Sequence, residues 1–277
     1  MSRELPFEVA VELDASELGE RRQVGTLRRV GAGPSAVVAF AYDETWLASR
    51  DAFVLDPTHG LYGGDQYPSG GDVAAVFTDA APDRWGRTLL ERREAMRARD
   101  EGRRPRSTFA ARRFDRATGT RRLYASAMTM TGKRDREDAS YLDIALAVAD
   151  YGARGRIDKD LAQLFRRLVF NVLTSHRDDH LRNHGFLRTP EGWRLAPAFD
   201  FNPVPARPEH ELTLDGSVRR GDLDAVRETA PFYRLSDEEA DAIIEELRAA
   251  LASWRVEARA AGVGARELDL LDEAITA

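Results

Sequence analysis

Three short stretches near the start of the chain alternate apolar and polar positions or are rich in β-forming residues: 6–13 (PFEVAVEL), 22–30 (RQVGTLRRV) and 36–42 (AVVAFAY). Turn residues separate them, so the pattern predicts an antiparallel sheet. The Gly-x-Gly in GAGPSA (31–36) lies between two of these strands and opens no helix, which makes it a hairpin connection and not a phosphate cradle. Residues 57–74 read as loop. The stretch 81–100 (APDRWGRTLLERREAMRARD) turns helical with Asp83 as N-cap, and EGRRPRST (101–108) breaks it. Residues 109–126 predict a hairpin around Thr118-Gly119, and 140–150 a helix. The clearest period runs over 158–175, where Leu161, Leu164, Phe165, Leu168, Val169 and Val172 follow the i, i+3, i+4 spacing of a buried helical stripe. A second hairpin follows: GFLR (185–188), the turn TPEG, and WRLAP (193–197), leading into AFDFNPVP (198–205). Two more helices are expected at the C-terminal end, the first opened by a capping box of Ser236 and Glu239. No internal repeat or low-complexity tract is present.

Composition narrows the class. The chain has 277 residues, 43% of them apolar, enough for one large domain or two smaller ones. It contains no cysteine, which excludes disulfides and thiolate metal sites and fits a reducing cytoplasm. No window approaches the roughly 18 consecutive apolar residues of a membrane span. The first residues carry acids and alternate, as a strand does and a signal peptide does not. A net charge of −6 argues against direct nucleic-acid binding. Charge is uneven, however: 92–122 is strongly basic, a solvated face or one that meets phosphate, RNA or an acidic partner, and the chain after Ser236 is acid-rich.

The densest chemistry lies in SHRDDHLRNHGF (175–186). Three readings compete. As a metal site, His176, His180 and His184 would share a helix face, but the outer two would be about 12 Å apart along the axis, so at most two could ligate. As a nucleic-acid contact, Arg177 and Arg182 would meet phosphates across the repulsion of Asp178 and Asp179. As a phosphoryl-transfer site, 176–183 reads His-Arg-Asp-x-x-x-x-Asn. In that chemistry an aspartate accepts the proton of an attacking hydroxyl, and an asparagine five residues on holds a metal ion. A second aspartate, arriving after a hairpin, holds the metal that bridges the phosphates. Asp178, Asn183 and Asp200 stand in that order, with a long apolar helix before them and the hairpin between.

The stretch 170–205 resembles the C-terminal core of HipA-like serine/threonine kinases, the toxin halves of bacterial toxin–antitoxin pairs. Their signature has the form Asp-x-His-x-x-Asn, a hairpin, then Ala-(Tyr/Phe)-Asp-(Leu/Phe)-x-Pro. Here it is met by Asp178, His180, Asn183, Ala198, Phe199, Asp200 and Pro203. ARRFDR (111–116) resembles the family's hinge strand, SAMTMTG (126–132) and SYLDIA (140–145) follow in family order, and LYGGDQYPSG and DAAPDRWGRTLLERR resemble its N-terminal subdomain. The resemblance implies an α+β fold: a small antiparallel β subdomain (1–82), a helix and shortened connector (83–108), and a mainly helical, protein-kinase-like C-lobe (109–277). It implies Asp178 as base, with His180 bracing the loop or the phosphates. Asn183 and Asp200 become ligands of Mg2+, and Arg112, Phe114 and Asp115 the hinge residues that meet ATP. It further implies a protein serine or threonine substrate, in known members often an aminoacyl-tRNA synthetase, and neutralisation by a HipB-like DNA-binding antitoxin. One departure stands inside the motif: the family usually has Asn-Thr before the base, and this chain has His176-Arg177.

A second departure concerns the nucleotide-covering lobe. Between the helix ending near Asp100 and the strand beginning at Phe109 there is no glycine-rich loop. The only two lysines, Lys133 and Lys159, sit in a loop and at the start of the long helix, where neither can serve the phosphates. Losing one such donor costs on the order of 3 kcal/mol of preorganised electrostatics. The basic residues of 103–122, Arg112 and Arg113 especially, are the substitutes at hand. The shortened lobe predicts either a homodimer covering the hinge side or a repacked N-terminal sheet. Two readings therefore stand beside the kinase: a non-catalytic pseudokinase that engages an antitoxin or former substrate, and a metal-dependent hydrolase using His176, His180 and the aspartates.

Overall fold

The computed structural model describes residues 8–31, 37–68, 73–79, 114–117, 120–134 and 137–276. The helix expected over 81–100, the connector after it, Arg112, and the expected boundaries at 82/83 and 108/109 lie outside the described residues. Chain contacts divide the protein into two compact units, 1–125 and 126–277.

In the first unit the three alternating stretches form strands β1 (Glu8–Leu13), β2 (Arg22–Val30) and β3 (Val37–Tyr42), paired antiparallel in that order. The alternation sends Leu13, Val24, Phe40 and Tyr42 into a core completed by Trp46 and Leu55. Gly25 sits where Phe40 crosses the sheet: a Cβ there would lie 2.5 Å from the Phe40 ring and from the Ala41 carbonyl oxygen. The short helix α1 (Glu44–Leu47) is capped by Asp43, which accepts from the Thr45 N–H at 2.8 Å. The loop that follows is fixed by buried polar side chains. Asp56 accepts from the N–H groups of Thr58 (3.0 Å) and Val76 (2.9 Å), the latter in helix α2 (Ala75–Thr78). The Gln66 side chain accepts from Gly60 N–H at 2.7 Å and donates to the carbonyls of Gly60 and Tyr62. The hairpin expected over 109–126 is present as the antiparallel pair β4 (Arg116–Ala117) and β5 (Thr120–Arg121). Strand β6 (Tyr124–Ser126) carries the chain into the second unit.

The second unit is mainly helical. After α3 (Ala127–Thr131) comes α4 (Tyr141–Tyr151), opened by a capping box of Ser140 and Asp143. The long helix α5 (Ile157–Leu173) is the centre of this unit. All six residues of its predicted apolar stripe are buried, each such side chain contributing about 1.5–3 kcal/mol. Phe165 packs edge-on against Tyr233, ring centres 5.3 Å apart. The antiparallel hairpin β7 (Gly185–Thr189) and β8 (Gly192–Leu195) follows as predicted. Its position is set by a bidentate pair from Arg194 to the buried Asp160 of α5 (2.7 and 2.9 Å), with Leu195 N–H donating to the same carboxylate at 3.1 Å. Helix α6 (Leu223–Glu228) precedes α7 (Asp237–Leu251), whose Ser236–Glu239 capping box is formed as expected. Two helices were expected after Ser236, and three are present among the described residues: α7, α8 (Trp254–Ala260) and α9 (Ala265–Asp272). Ala252-Ser253 interrupts the run without a strong breaker, and Gly262 and Gly264 interrupt it again. This α+β organisation, an antiparallel sheet unit followed by a helical unit with a small hairpin, is the predicted one.

Candidate active site

Helix α5 ends at Leu173, earlier than the apolar period suggested, because Ser175 adopts a left-handed backbone with φ 50°. The chain therefore turns away from the helix axis at the point where the polar cluster begins. His176 N–H still reaches the Asn171 carbonyl at 2.9 Å. The cluster is a loop followed by one 3-10 turn, Leu181–Asn183, that leads directly into β7. No helix runs through 176–184, so the three histidines do not share a helix face.

Under this loop lies a buried polar hub that the sequence reading missed. Asp179, 2% exposed, accepts hydrogen bonds from the Tyr141 hydroxyl, from Asn171 Nδ2 at 2.8 Å and from His184 Nε2 at 2.8 Å. Its other oxygen lies 3.6 Å from His176 Nε2. Asn171 Nδ2 also donates to the Tyr141 hydroxyl oxygen at 2.8 Å. Burial pushes the Asp179 carboxyl up, but His184 and His176 outweigh it and hold the group well below the usual carboxylate range. Burial also works to lower His176, and here the hydrogen bond and charge of Asp179 win, leaving the imidazole raised. The signal available in the sequence was Asn171, a polar residue one position before Val172 in a helix end that is otherwise buried and apolar.

The metal-site reading required His176, His180 and the aspartates to converge. His176 and His184 are instead engaged with Asp179, and among the described residues no group of three or more histidine, aspartate or glutamate side chains is arranged to hold an ion.

Asp178 points the other way from its neighbour. Its side chain is 56% exposed and ion-paired with Arg207 at 2.6 Å. Asn183 is buried, and its Nδ2 donates to the Asp178 carbonyl at 3.5 Å, closing the loop on itself. His180 is half-buried, its carbonyl accepts from Asn183 N–H at 2.8 Å, and its Nδ1 has no hydrogen-bond partner among the described residues. Asp200 is exposed and left-handed, φ 59°. That conformation costs a non-glycine residue about 1–3 kcal/mol, and such outliers cluster at functional sites. Asp200 carries no ion pair among the described residues.

The segment that bears Asp200 is fastened to the loop that bears Asp178. His176 Nδ1 lies 2.9 Å from the Asn202 carbonyl oxygen and 3.2 Å from the Asn202 backbone nitrogen, so the ring meets the Asn202 backbone in either tautomer. Val204 N–H donates to the Ser175 carbonyl at 2.9 Å, and Arg177 donates to the Pro205 carbonyl at 2.8 Å. Phe201 stacks edge-on with Phe170 of α5, ring centres 5.1 Å apart. The structure thus brings Asp178 and Asn183 together in one closed loop and docks the Asp200 segment on the three residues before Asp178. No hydrogen bond joins the Asp200 side chain to Asp178 or Asn183. Of the expected hinge residues, Phe114 and Asp115 belong to the first unit, where the Phe114 and Tyr124 ring centres lie 6.1 Å apart and the backbone carbonyl of the buried Asp115 accepts from Arg122 N–H at 2.9 Å.

A polar loop at the end of a buried helix, a hairpin, and a docked segment carrying a strained aspartate define a kinase-like C-lobe. In sequence, residues 18–104 match the HipA N-terminal domain and residues 90–254 the HipA-like C-terminal domain. The second match alone spans more than half of the chain, and this chain belongs to the HipA-like family. The two matched stretches overlap at 90–104, with no chain left between them. In structure it is similar to a chain of the Shewanella oneidensis MR-1 toxin–antitoxin complex of HipA, HipB and operator DNA. That match has TM-score 0.58 and 13% identity, and covers 90% of this chain and 89% of that one. At that identity the likeness is one of fold. No curated protein matches the sequence.

Proposed function

We propose that this chain is a HipA-type protein serine/threonine kinase that transfers the γ-phosphoryl group of ATP to a protein hydroxyl. The observation that carries the reading is the docking of the Asp200 segment on residues 175–177, beside a loop that Asn183 closes on the Asp178 carbonyl. In this reading Asp178 takes the proton of the substrate hydroxyl while that oxygen bonds to the γ-phosphorus and displaces ADP. The exposed carboxylate suits that role.

The donor set suits Mg2+, which takes oxygen ligands from one or two carboxylates or amides and completes its shell with phosphate and water. Asn183 spends its Nδ2 on the Asp178 carbonyl, which leaves Oδ1 as an oxygen donor, and the Asp200 carboxylate has no ion pair among the described residues. Asn183 and Asp200 would hold the ion, which would neutralise the phosphate oxygens. His180, with Nδ1 unpartnered, would brace a phosphate oxygen. Arg112, Phe114 and Asp115 are assigned to the adenine side by the family resemblance alone.

The test is incubation with Mg2+ and γ-labelled ATP, reading label on the chain itself and on a degenerate serine/threonine peptide library. Wild type should transfer label, and Asp178→Ala should lose about 10²-fold or more of the rate. Equal silence in both would favour a second reading, a non-catalytic pseudokinase that binds an antitoxin or former substrate. The absence of a glycine-rich loop and a suitably placed lysine in the sequence supports that second reading. In either case the partner proposed is a HipB-like DNA-binding antitoxin. A tagged chain that fails to co-purify with a helix-turn-helix protein expressed from its own operon would count against this.

A further inference from the structure

Both residues before Asp178 depart from the family motif, and the structure gives the second, Arg177, a reciprocal partner. Arg177 Nη1 donates to the carbonyls of Pro205 (2.8 Å) and Arg207. Arg207 Nη1 donates back to the Arg177 carbonyl at 3.3 Å and to Asp178 Oδ1 at 2.6 Å, with Glu211 Oε2 3.4 Å away. Glu211 N–H also donates to the Arg177 carbonyl, at 3.1 Å. Residues 177–178 are thereby fastened to 205–211, the stretch that follows the Asp200 segment. The clamp also divides the work of the Asp178 carboxylate: Oδ1 is held by a charged donor, and Oδ2 makes no hydrogen bond among the described residues.

We propose that Arg207 is a positioning residue for Asp178. With Arg177 it fixes the loop, holds Oδ1, and presents Oδ2 to the incoming hydroxyl. The proposal rests on the kinase reading above. Two arguments set the form of the effect. An exposed ion pair adds little to folding stability, so changing Arg207 should leave the fold alone. A base turned away from its hydroxyl by about 1 Å loses up to 10²-fold in rate, so the effect belongs in turnover.

The experiment compares wild type with Arg207→Gln and Arg207→Lys, each also in an Asp178→Asn background, using γ-labelled ATP, Mg2+ and the peptide library. Arg207→Gln should lower kcat about tenfold with KM for ATP within twofold of wild type and an unchanged urea midpoint. Arg207→Lys, which can still donate to Oδ1, should recover most of the loss. In the Asp178→Asn background Arg207→Gln should cost nothing further. An active wild type whose kcat is unchanged or raised by Arg207→Gln, or a loss that persists undiminished beside Asp178→Asn, overturns the positioning role alone. A wild type that transfers no label overturns the kinase reading, and this proposal with it.

Discussion

Asp179 is the residue on which the site's geometry depends most. The perturbation is Asp179→Ala. In the folded protein its carboxylate serves the Tyr141 hydroxyl, Asn171 Nδ2 and His184 Nε2, all buried, and faces His176 Nε2 at 3.6 Å. Truncation leaves those donors without an acceptor, at about 1–3 kcal/mol for each unsatisfied buried group. The losses are not additive, since Asn171 and Tyr141 keep their mutual bond and the cavity admits some relaxation. Breaking one side of a buried charged network costs about 3–5 kcal/mol, and that is the expected loss. With an m-value of about 2–3 kcal/mol/M, the urea midpoint should fall by about 1–2.5 M. The isosteric Asp179→Asn should cost less and gives a second readout. Removing the charge takes away the Asp179 support and leaves burial opposed only by the Asn202 backbone and the Asp200 charge, so the His176 imidazole should titrate lower than in wild type. The linked stability follows in sign. A raised histidine stabilises the fold fully below its unfolded value of about 6.5, and that stability is lost as pH rises through the folded value. Asp179→Asn should diminish this alkaline loss. A midpoint shift under about 0.3 M for Asp179→Ala, or an unmoved His176 titration in Asp179→Asn, would refute the reasoning.

Three further outcomes are expected. His210 is buried and pushed down to about 4, by burial first and then by Arg177, so the unfolded chain takes up a proton at pH 5 that the folded one refuses. Between pH 7.5 and 5 this costs about 2 kcal/mol, and urea titrations at the two pH values should show His210→Phe losing markedly less stability than wild type. Arg194→Met leaves the buried Asp160 carboxylate with only the Leu195 N–H, and thermal denaturation should register a loss of about 1–3 kcal/mol; a change under about 0.5 kcal/mol would mean that the pair does not anchor the hairpin. Asp200→Ala should abolish the magnesium dependence of nucleotide binding in calorimetry; magnesium-dependent binding that survives the substitution removes Asp200 from the ion's shell.

What the sequence disclosed depended on how local the determining contacts were. The stripe from Leu161 to Val172, the β7–β8 hairpin and the Ser236 capping box are set by neighbours within a few positions, and periodicity found them. The density of polar residues at 175–186 located the loop, but not its division of labour between two adjacent aspartates. That division is made by distant residues: Tyr141 lies 38 positions from Asp179, and Arg207 lies 29 positions from Asp178. In the sequence Asp178 and Asp179 look alike. The fold buries one among donors from two helices and a strand end, and leaves the other at the surface beside the Arg207 guanidinium. The same argument gives His176-Arg177 a physical meaning. Read as letters they are a departure from the family's pair. In the structure the imidazole meets Asn202 and the guanidinium meets Pro205, so both side chains are spent on holding the Asp200 segment against the loop. Two residues that reach across a gap do the joining, and the contacts they make define what any replacement at those positions would have to supply: a hydrogen-bond partner for the Asn202 backbone and a donor to the Pro205 carbonyl.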